Sequence, residues 1–416
     1  MRQALVRLHR YNGLALAAFL LVASLTGSLL AWNDELEALI SPALFRVTPP
    51  SPDATPLDPL VLRERAQAAY PRTFVARVPL QIEPGHALEF RLYALPDPAT
   101  GNFPKLDNDE IFIDPYTGEV LGERKSGDLS QGARNIMPFI YELHYALALG
   151  NAGTILMGVV GLLWTLDCFI SAWLTFPVRA RSANAAPWLS RWQPAWQVRW
   201  RGGSYKLNFD LHRAGGLWLW LMLFVLAWSS VAFNLRPVYD ITMRTLLPYQ
   251  PDSPAPQLSR PLLKPPVSWA EAREIGRRRL TEQAGQRGIR VINEYMLIYD
   301  PRNGIYNYYA RTDRDVSERW GITRVSLDAR DGRMTAFWLP TGGAAGDSVR
   351  TWLTTLHMAA VWGLPLRIFM SLCGLAIAML CLTGVLIWLR KRRARQQAPR
   401  RETRGSSQHE VAPQRE

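Results

Sequence analysis

Four histidines offer the chemistry in this sequence, and their placement is regular. His9 and His212 each sit in a Leu-His-Arg run (Leu8-His9-Arg10 and Leu211-His212-Arg213). His144 and His357 each follow a leucine and precede a glycine by six residues, Gly150 and Gly363. All four stand just ahead of a long apolar stretch. Neutral imidazole is a common ligand of haem iron, and two imidazoles saturate the iron for electron transfer rather than oxygen binding. One histidine at a helix end is more often an interfacial polar residue; four placed alike at four helix starts point to ligation. His86 and His409 have no such placement.

The elements that must position them are membrane helices. Four stretches, from Gly13 to Trp32, Thr154 to Phe176, Gly215 to Leu235 and Leu366 to Leu389, reach the ~20 apolar residues a bilayer demands. None reads as broken by paired Gly or Pro. The first is too long for a cleavable signal, with no small-x-small site before Asn33-Asp34-Glu35. The first ten residues carry Arg2, Arg7 and Arg10 and no acid, and the 177–211 connection carries six bases against one acid, Asp210. The tail from Arg390 carries nine bases against three acids. Short basic flanks belong in the cytoplasm, so both termini are expected there, with the longer segments outside. The net charge of +13 is then a topology signal and not a nucleic-acid footprint.

Topology decides how the histidines can pair. His9 and His212 begin on the cytoplasmic side, and His144 and His357 begin outside. A crossing helix separates its ends by about 30 Å, whereas two ligands of one iron lie a few Å apart. His9 can therefore meet His212, and His144 can meet His357, giving one site near each face. A metal site without haem stays open as an alternative, although Asp167 is the only carboxylate in the spans. Asp167 could tune a cofactor, carry a proton, or be hydrogen-bonded and neutral.

The chain reads as one unit written twice. Aligning His144 with His357 also superposes Gly150 on Gly363, Gly161 on Gly374 and Cys168 on Cys381 without a gap. Asp114 and Gly118 match Asp328 and Gly332 one residue out of that register. The expected layout is residues 1–32 as an N-terminal segment and first span, 33–137 as a first outside domain, and 138–176 as a second span. A Trp/Arg-rich cytoplasmic loop (177–211), a third span (212–235), a second outside domain (236–350), a fourth span (351–390) and a disordered basic tail (391–416) follow.

In the first outside domain, Leu60 to Tyr70 has helical spacing, Ala87–Leu95 and Glu110–Asp114 read as strands, and Pro115–Gly118 as a turn. In the second, Ser268–Gln286 reads as a helix. Strands follow near Glu294–Tyr299, Tyr306–Arg311, Arg324–Leu327 and Met334–Leu339. The fold class is an α-helical membrane protein, with four transmembrane helices as two tandem pairs and two α+β outside domains. Cys168, Cys373 and Cys381 all fall inside spans, so no structural disulfide or thiol metal site is expected. Trp188, Trp192, Trp196 and Trp200 recur every fourth residue and would line one face of an interfacial helix interrupted by Pro194, a membrane anchor or a docking site for a partner or quinone. Arg10 and Arg213 could pair with haem propionates or serve as positive-inside anchors. Gly161, Gly374 and Gly384 would admit a close helix or a flat macrocycle.

The Leu-His-Arg helix starts, the Asp114-Pro115-Tyr116-Thr117-Gly118-Glu119-Val120 turn and the later Leu-His pairs resemble the PepSY-associated transmembrane family, from Leu8 to about Arg392. That family includes FoxB-like inner-membrane ferric-siderophore reductases. The resemblance implies two haem b groups held by His9, His212, His144 and His357, two PepSY-like periplasmic domains, and residence in a bacterial inner membrane. It implies iron-chelate reductase activity on a ferric-siderophore substrate, yielding iron(II). The second turn departs from the pattern, with Asp328-Ala329-Arg330-Asp331-Gly332. No Gly-rich dinucleotide motif follows a strand in the cytoplasmic segments, so electrons are expected from quinol or a separate cytoplasmic reductase. The acceptor would dock in the cleft between the outside domains. The rival readings are a PepSY-domain regulator or anchor that binds a peptidase or envelope partner, and an iron or siderophore transporter component. Membrane lipid is an expected partner, and nucleic acid is not.

Overall fold

A computed structural model of the chain describes residues 1–416 apart from 97–102, 181, 183–185, 252–256 and 398–416. Helix α1 (Arg2–Leu30) enters directly from the N-terminus and is followed by the short α2 (Asn33–Ile40) and α3 (Pro42–Phe45). The first extramembrane unit contains α4 (Pro59–Ala69) and strands β1 (Thr73–Val75), β2 (Arg77–Pro79), β3 (Leu88–Ala94), β4 (Glu110–Ile113) and β5 (Val120–Arg124). Next come α5 (Ile136–Ala146), α6 (Gly150–Thr175), α7 (Trp188–Trp192), α8 (Ser204–Trp218), α9 (Trp220–Asn234) and α10 (Arg236–Leu246). The second extramembrane unit contains α11 (Trp269–Arg287) and strands β6 (Val291–Asp300), β7 (Ile305–Thr312), β8 (Thr323–Asp328) and β9 (Met334–Trp338), and α12 (Ala345–His357) and α13 (Gly363–Gln397) close the chain.

Among the described residues, α1, α6 and α13 are long and apolar enough to cross a membrane, and α8 with α9 makes a fourth crossing if the bent pair is one span. The bend is 69°, at Leu219, and corrects the reading of an unbroken third segment. A continuous apolar run looks the same whether straight or bent. The helices meet through small residues. A Cβ on Gly161 would lie 2.9 Å from Ser230 Oγ on α9, and one on Gly374 would lie 2.6 Å from the Ser24 carbonyl on α1.

His144 and His357 do not lie on the spanning helices. They end α5 and α12, and the chain then turns sharply before α6 and α13 begin. All four non-glycine residues with positive φ among the described residues sit in these two turns: Leu147 and Ala148, and Ala359 and Trp362. Such backbone is costly for L-residues and persists only where the surroundings enforce it. The final helix continues to Gln397, past the point where a disordered tail was expected; residues 398–416 lie outside the described residues.

The outside segments were expected as two domains, but they share a strand. Residues 73–79 run nearly continuously, with β1 pairing antiparallel to β3 and β2 to β6 across Ala76. The sheets are ordered β1-β3-β4-β5 and β2-β6-β7-β8-β9. One buried core, including Leu62, Val78, Phe90, Ile111, Leu297 and Tyr306, runs through both. We call the whole the lobe. Its helix α11 starts at a capping box, where Ser268 N–H donates to Glu271 at 2.8 Å and Glu271 N–H donates to Ser268 Oγ at 3.2 Å, satisfying otherwise unpaired amides. The divergent second turn keeps the geometry of the first. Gly118 N–H donates to the Asp114 carbonyl, and Gly332 N–H to the Asp328 carbonyl, each at 2.8 Å, with both glycines at positive φ.

Candidate functional site

The structure places His9 (α1) against His212 (α8), with ring centroids 6.2 Å apart and planes at 49°. His144 (α5) stands against His357 (α12), with centroids again 6.2 Å apart and planes at 75°. His144 rests against Ala23 and Thr26 of α1, four to five turns beyond His9, so the two pairs lie at levels roughly 20–25 Å apart along that helix at about 1.5 Å per residue. We call them the far pair (His9 and His212) and the lobe-side pair (His144 and His357).

Each ring is fixed through Nδ1. His9 Nδ1 lies 2.8 Å from Asp167 Oδ2. His144 Nδ1 lies 3.0 Å from the Ala23 carbonyl and 3.1 Å from Thr26 Oγ1. His212 Nδ1 lies 3.0 Å from the Leu380 carbonyl and 3.1 Å from Thr383 Oγ1. His357 Nδ1 lies 2.6 Å from Ser229 Oγ.

The partners assign the proton. Thr26 donates to the Val22 carbonyl at 2.7 Å, Thr383 to the Met379 carbonyl at 2.7 Å, and Ser229 to the Val225 carbonyl at 2.6 Å. A hydroxyl has one proton to give, so while it donates to its own helix each of these oxygens can accept from histidine. Carbonyl and carboxylate oxygens also accept. His9, His144 and His212, each with a carbonyl or carboxylate partner, therefore carry their proton on Nδ1 and leave the Nε2 lone pair free, the arrangement in which an outer partner orients a ligating histidine. Ser229 accommodates the same tautomer at His357 while donating to Val225.

Four of these six partners obey the repeat. Thr26 follows His9 at the same spacing at which Ser229 follows His212, and each hydroxyl holds a histidine of the lobe-side pair. Asp167 likewise follows His144 at the spacing at which Leu380 follows His357, and each holds one of the far pair. The sequence reading missed the hydroxyls. Carrying the His9–His212 alignment inward, or noticing the Leu-Thr-Gly run at both 25–27 and 382–384, would have exposed them. The glycine of each run makes room for a ring: a Cβ at Gly27 would lie 3.0 Å from His144 Cε1, and one at Gly384 would lie 3.1 Å from His212 Cε1.

Each pair faces a cavity. The far pair lines one of about 460 Å³, together with Arg2, Arg10, Arg213 and Lys391 at its charged end. Arg213 donates to the Pro194 carbonyl at 2.7 Å and to Asp210 at 3.1 Å. Gly13 and Gly216, each one helical turn past its histidine, line the same cavity, and a Cβ on either would meet nothing within 4 Å. The lobe-side pair lines a cavity of about 810 Å³ that reaches up to Arg91, Glu110 and Arg124 of the first sheet and to Arg319 and Trp320 of the second unit. Leu20, Trp164 and Ile377 line both cavities and form the apolar wall between them.

The roof of the larger cavity is an ion network. Buried Arg124 donates to Glu110 at 2.7 Å, to Glu37 at 2.8 Å and to the Arg134 carbonyl at 2.8 Å. Burial alone would lower Arg124, but the Glu37 and Glu110 carboxylates outweigh it and hold it above the usual guanidinium range. Arg319 reaches Asp34 on α2. Beyond the far pair, Phe176, Trp188, Trp192 and Trp196 form a chain of ring contacts with centroids 5.1–5.4 Å apart. Trp200, expected on the same face, lies past the last turn of this segment and is exposed.

Three or four membrane-crossing helices, written as a repeat beneath an α+β lobe, define a membrane protein with internal duplication. The chain belongs to the PepSY-associated TM region family, whose model matches residues 6–391. No curated protein matches it.

Proposed function

We propose that the protein is a transmembrane electron conduit holding two haem b groups, one between His9 and His212 and one between His144 and His357. The observation that carries this reading is the pair geometry: twice, two imidazole rings stand with centroids 6.2 Å apart and every Nδ1 engaged. Two nitrogens facing one ion at about 2 Å each set the ring centroids roughly 6 Å apart. Among the described residues, no group of three or more His, Cys, Asp or Glu is placed to hold a metal ion. Two imidazoles alone leave a bare ion under-coordinated, whereas a macrocycle supplies the remaining ligands. The open backbone at Gly13 and Gly216 suits a flat group.

Haem supplies one-electron transfer when bound. The chain's residues orient and enclose it. Asp167, Thr26, Thr383 and Ser229 hold the rings in one tautomer, Leu20, Trp164 and Ile377 exclude water between the sites, and Arg10 and Arg213 stand where carboxylate substituents could be neutralised. In the inner membrane of a bacterium, with the lobe in the periplasm, electrons would come from quinol or a cytoplasmic reductase and leave at the lobe. The acceptor proposed is a ferric siderophore, docked above His144 and His357 in the cavity roofed by Arg91, Arg124 and Arg319. Reduction releases the metal, because hard-oxygen chelators hold iron(II) far less tightly than iron(III). The test is purified protein in vesicles with reductant inside and a ferric trihydroxamate outside. Iron(II) should appear outside with wild type and vanish with His357→Ala at equal protein content. Equal rates would reject the proposal.

The bend at Leu219 favours a transporter more than the sequence did, since broken helices often line substrate paths. Against it, intramembrane charge stays scarce: Asp167 is already engaged by His9. Uptake of intact labelled chelate by the same vesicles separates the two.

A further inference from the structure

Among the Nδ1 partners of the four histidines, the repeat is broken in charge at Asp167. Asp167 and Leu380 occupy equivalent positions, yet the second repeat offers the Leu380 carbonyl to His212 at 3.0 Å, and the first offers the Asp167 carboxylate to His9 at 2.8 Å. His144, His212 and His357 meet neutral oxygens. The Asp167 side chain is only 10% exposed, and its other oxygen, Oδ1, has no hydrogen-bond partner among the described residues. Among the described residues, His9 Nδ1–H is its one hydrogen-bond donor.

We propose that Asp167 sets the potentials of the two sites apart, making the His9/His212 site the harder to reduce and directing electrons toward the lobe. This inference rests on the haem reading above. A carboxylate bonded to the far side of a ligating imidazole makes that imidazole more basic and adds negative charge beside the iron, and both favour the more positive, oxidised metal. Water does not screen that attraction inside the bundle, where the effective dielectric is low. The lobe-side site has hydroxyls and a carbonyl in the same role, and neither carries a net charge. Arg2, Arg10, Arg213 and Lys391 line the far cavity and oppose the effect, but Arg213 is already paired with Asp210, and among the described residues none of the four is bonded to Asp167. With haem at both sites, an electron passing from the far site would oxidise the iron there and reduce the one between His144 and His357, and this order of potentials would make that direction downhill. Asp167 touches His9 and not the metal, so it is a positioning residue.

The test is a potentiometric titration of purified wild type, Asp167→Asn and Asp167→Glu, with haem content measured alongside. Asparagine keeps an oxygen for Nδ1–H and drops the charge. The wild type should show two midpoints. Asp167→Asn should keep two haems and unchanged bands while its lower midpoint rises by at least tenfold in equilibrium constant, about 59 mV for one electron. Asp167→Glu should restore the low value. If Asp167→Asn retains a single haem, the survivor should titrate at the wild-type upper midpoint. An unmoved lower midpoint with both haems bound, a shift confined to the upper one, or survival of the lower one alone overturns the inference. A wild-type chain that holds no haem ends the proposed function itself.

Discussion

Ser229 Oγ lies 2.6 Å from Nδ1 of His357, and Thr26 repeats the contact to His144 at 3.1 Å. The two hydroxyls come from equivalent places on α9 and α1, so the first helix of each repeat steadies the later histidine of the same repeat. The bundle is therefore a scaffold for imidazoles, and its parts can be tested singly.

Ligand pairing predicts a strict pattern of loss. His9→Ala, His212→Ala and the double variant should each lose the same one haem, and His144→Ala or His357→Ala should lose the other. Combining His9→Ala with His144→Ala should remove both. Pyridine haemochrome analysis against protein concentration reads this directly, and a double variant within one pair that lost both haems would contradict the pairing.

Gly27 and Gly384 give each site a selective handle. A larger side chain must displace His144 or His212, since even a Cβ lies 3.0 or 3.1 Å from the ring. Gly27→Val should deplete the lobe-side haem, and Gly384→Val the far one. Gly13→Leu probes the empty space instead. Its Cβ meets no protein atom within 4 Å, so the thermal midpoint of haem-free protein should hold while the far haem is lost. Unchanged haem content would show that nothing flat lies there.

The shared strand predicts that the lobe unfolds as one unit. Val78 is wholly buried where β2 joins β6, and Val78→Ala should cost about 2 kcal/mol. Hydrogen exchange should then quicken together in β3–β4 and in β6–β7. Loss of protection confined to one sheet would mean that the lobe is two domains after all.

Acid should weaken the lobe through Glu294. Burial pushes its carboxyl up, but hydrogen bonds from Arg273, Tyr308 and Arg277 outweigh this and leave it below the ordinary glutamate value. A carboxylate lowered by folding contributes stability that is present above the unfolded value, near 4.5, and is lost as pH falls. Glu294→Gln should cost roughly 1–3 kcal/mol at pH 7 and flatten the decline below about pH 5. Thermal melts from pH 4 to 8 check both the sign and the slope.

What the sequence made legible follows from periodicity and from the repeat. The apolar runs, the lobe helices α4 and α11, strands β3, β4 and β6–β9, and the four histidines all leave local signals. The breaks do not. Nothing local marks Leu219, because the bend lies within apolar residues, and Leu147, Ala148, Ala359 and Trp362 adopt positive φ without being glycine. Strand β2 is very short, and its partner β6 belongs to the other extramembrane unit, on the far side of the second and third spans. No local pattern reaches that distance. Thr26, Thr383 and Ser229 read as ordinary small residues of a membrane helix until the histidines are placed beside them.

The most direct test of the central claim is a dithionite-reduced minus oxidised visible spectrum of the detergent-purified chain, with the haem-to-protein ratio measured on the same sample. Sharp low-spin b-type bands at two haems per chain are the predicted result. A flat spectrum from folded protein made with ample haem would contradict the conduit and leave the lobe, as a binding module on a membrane anchor, to account for the function.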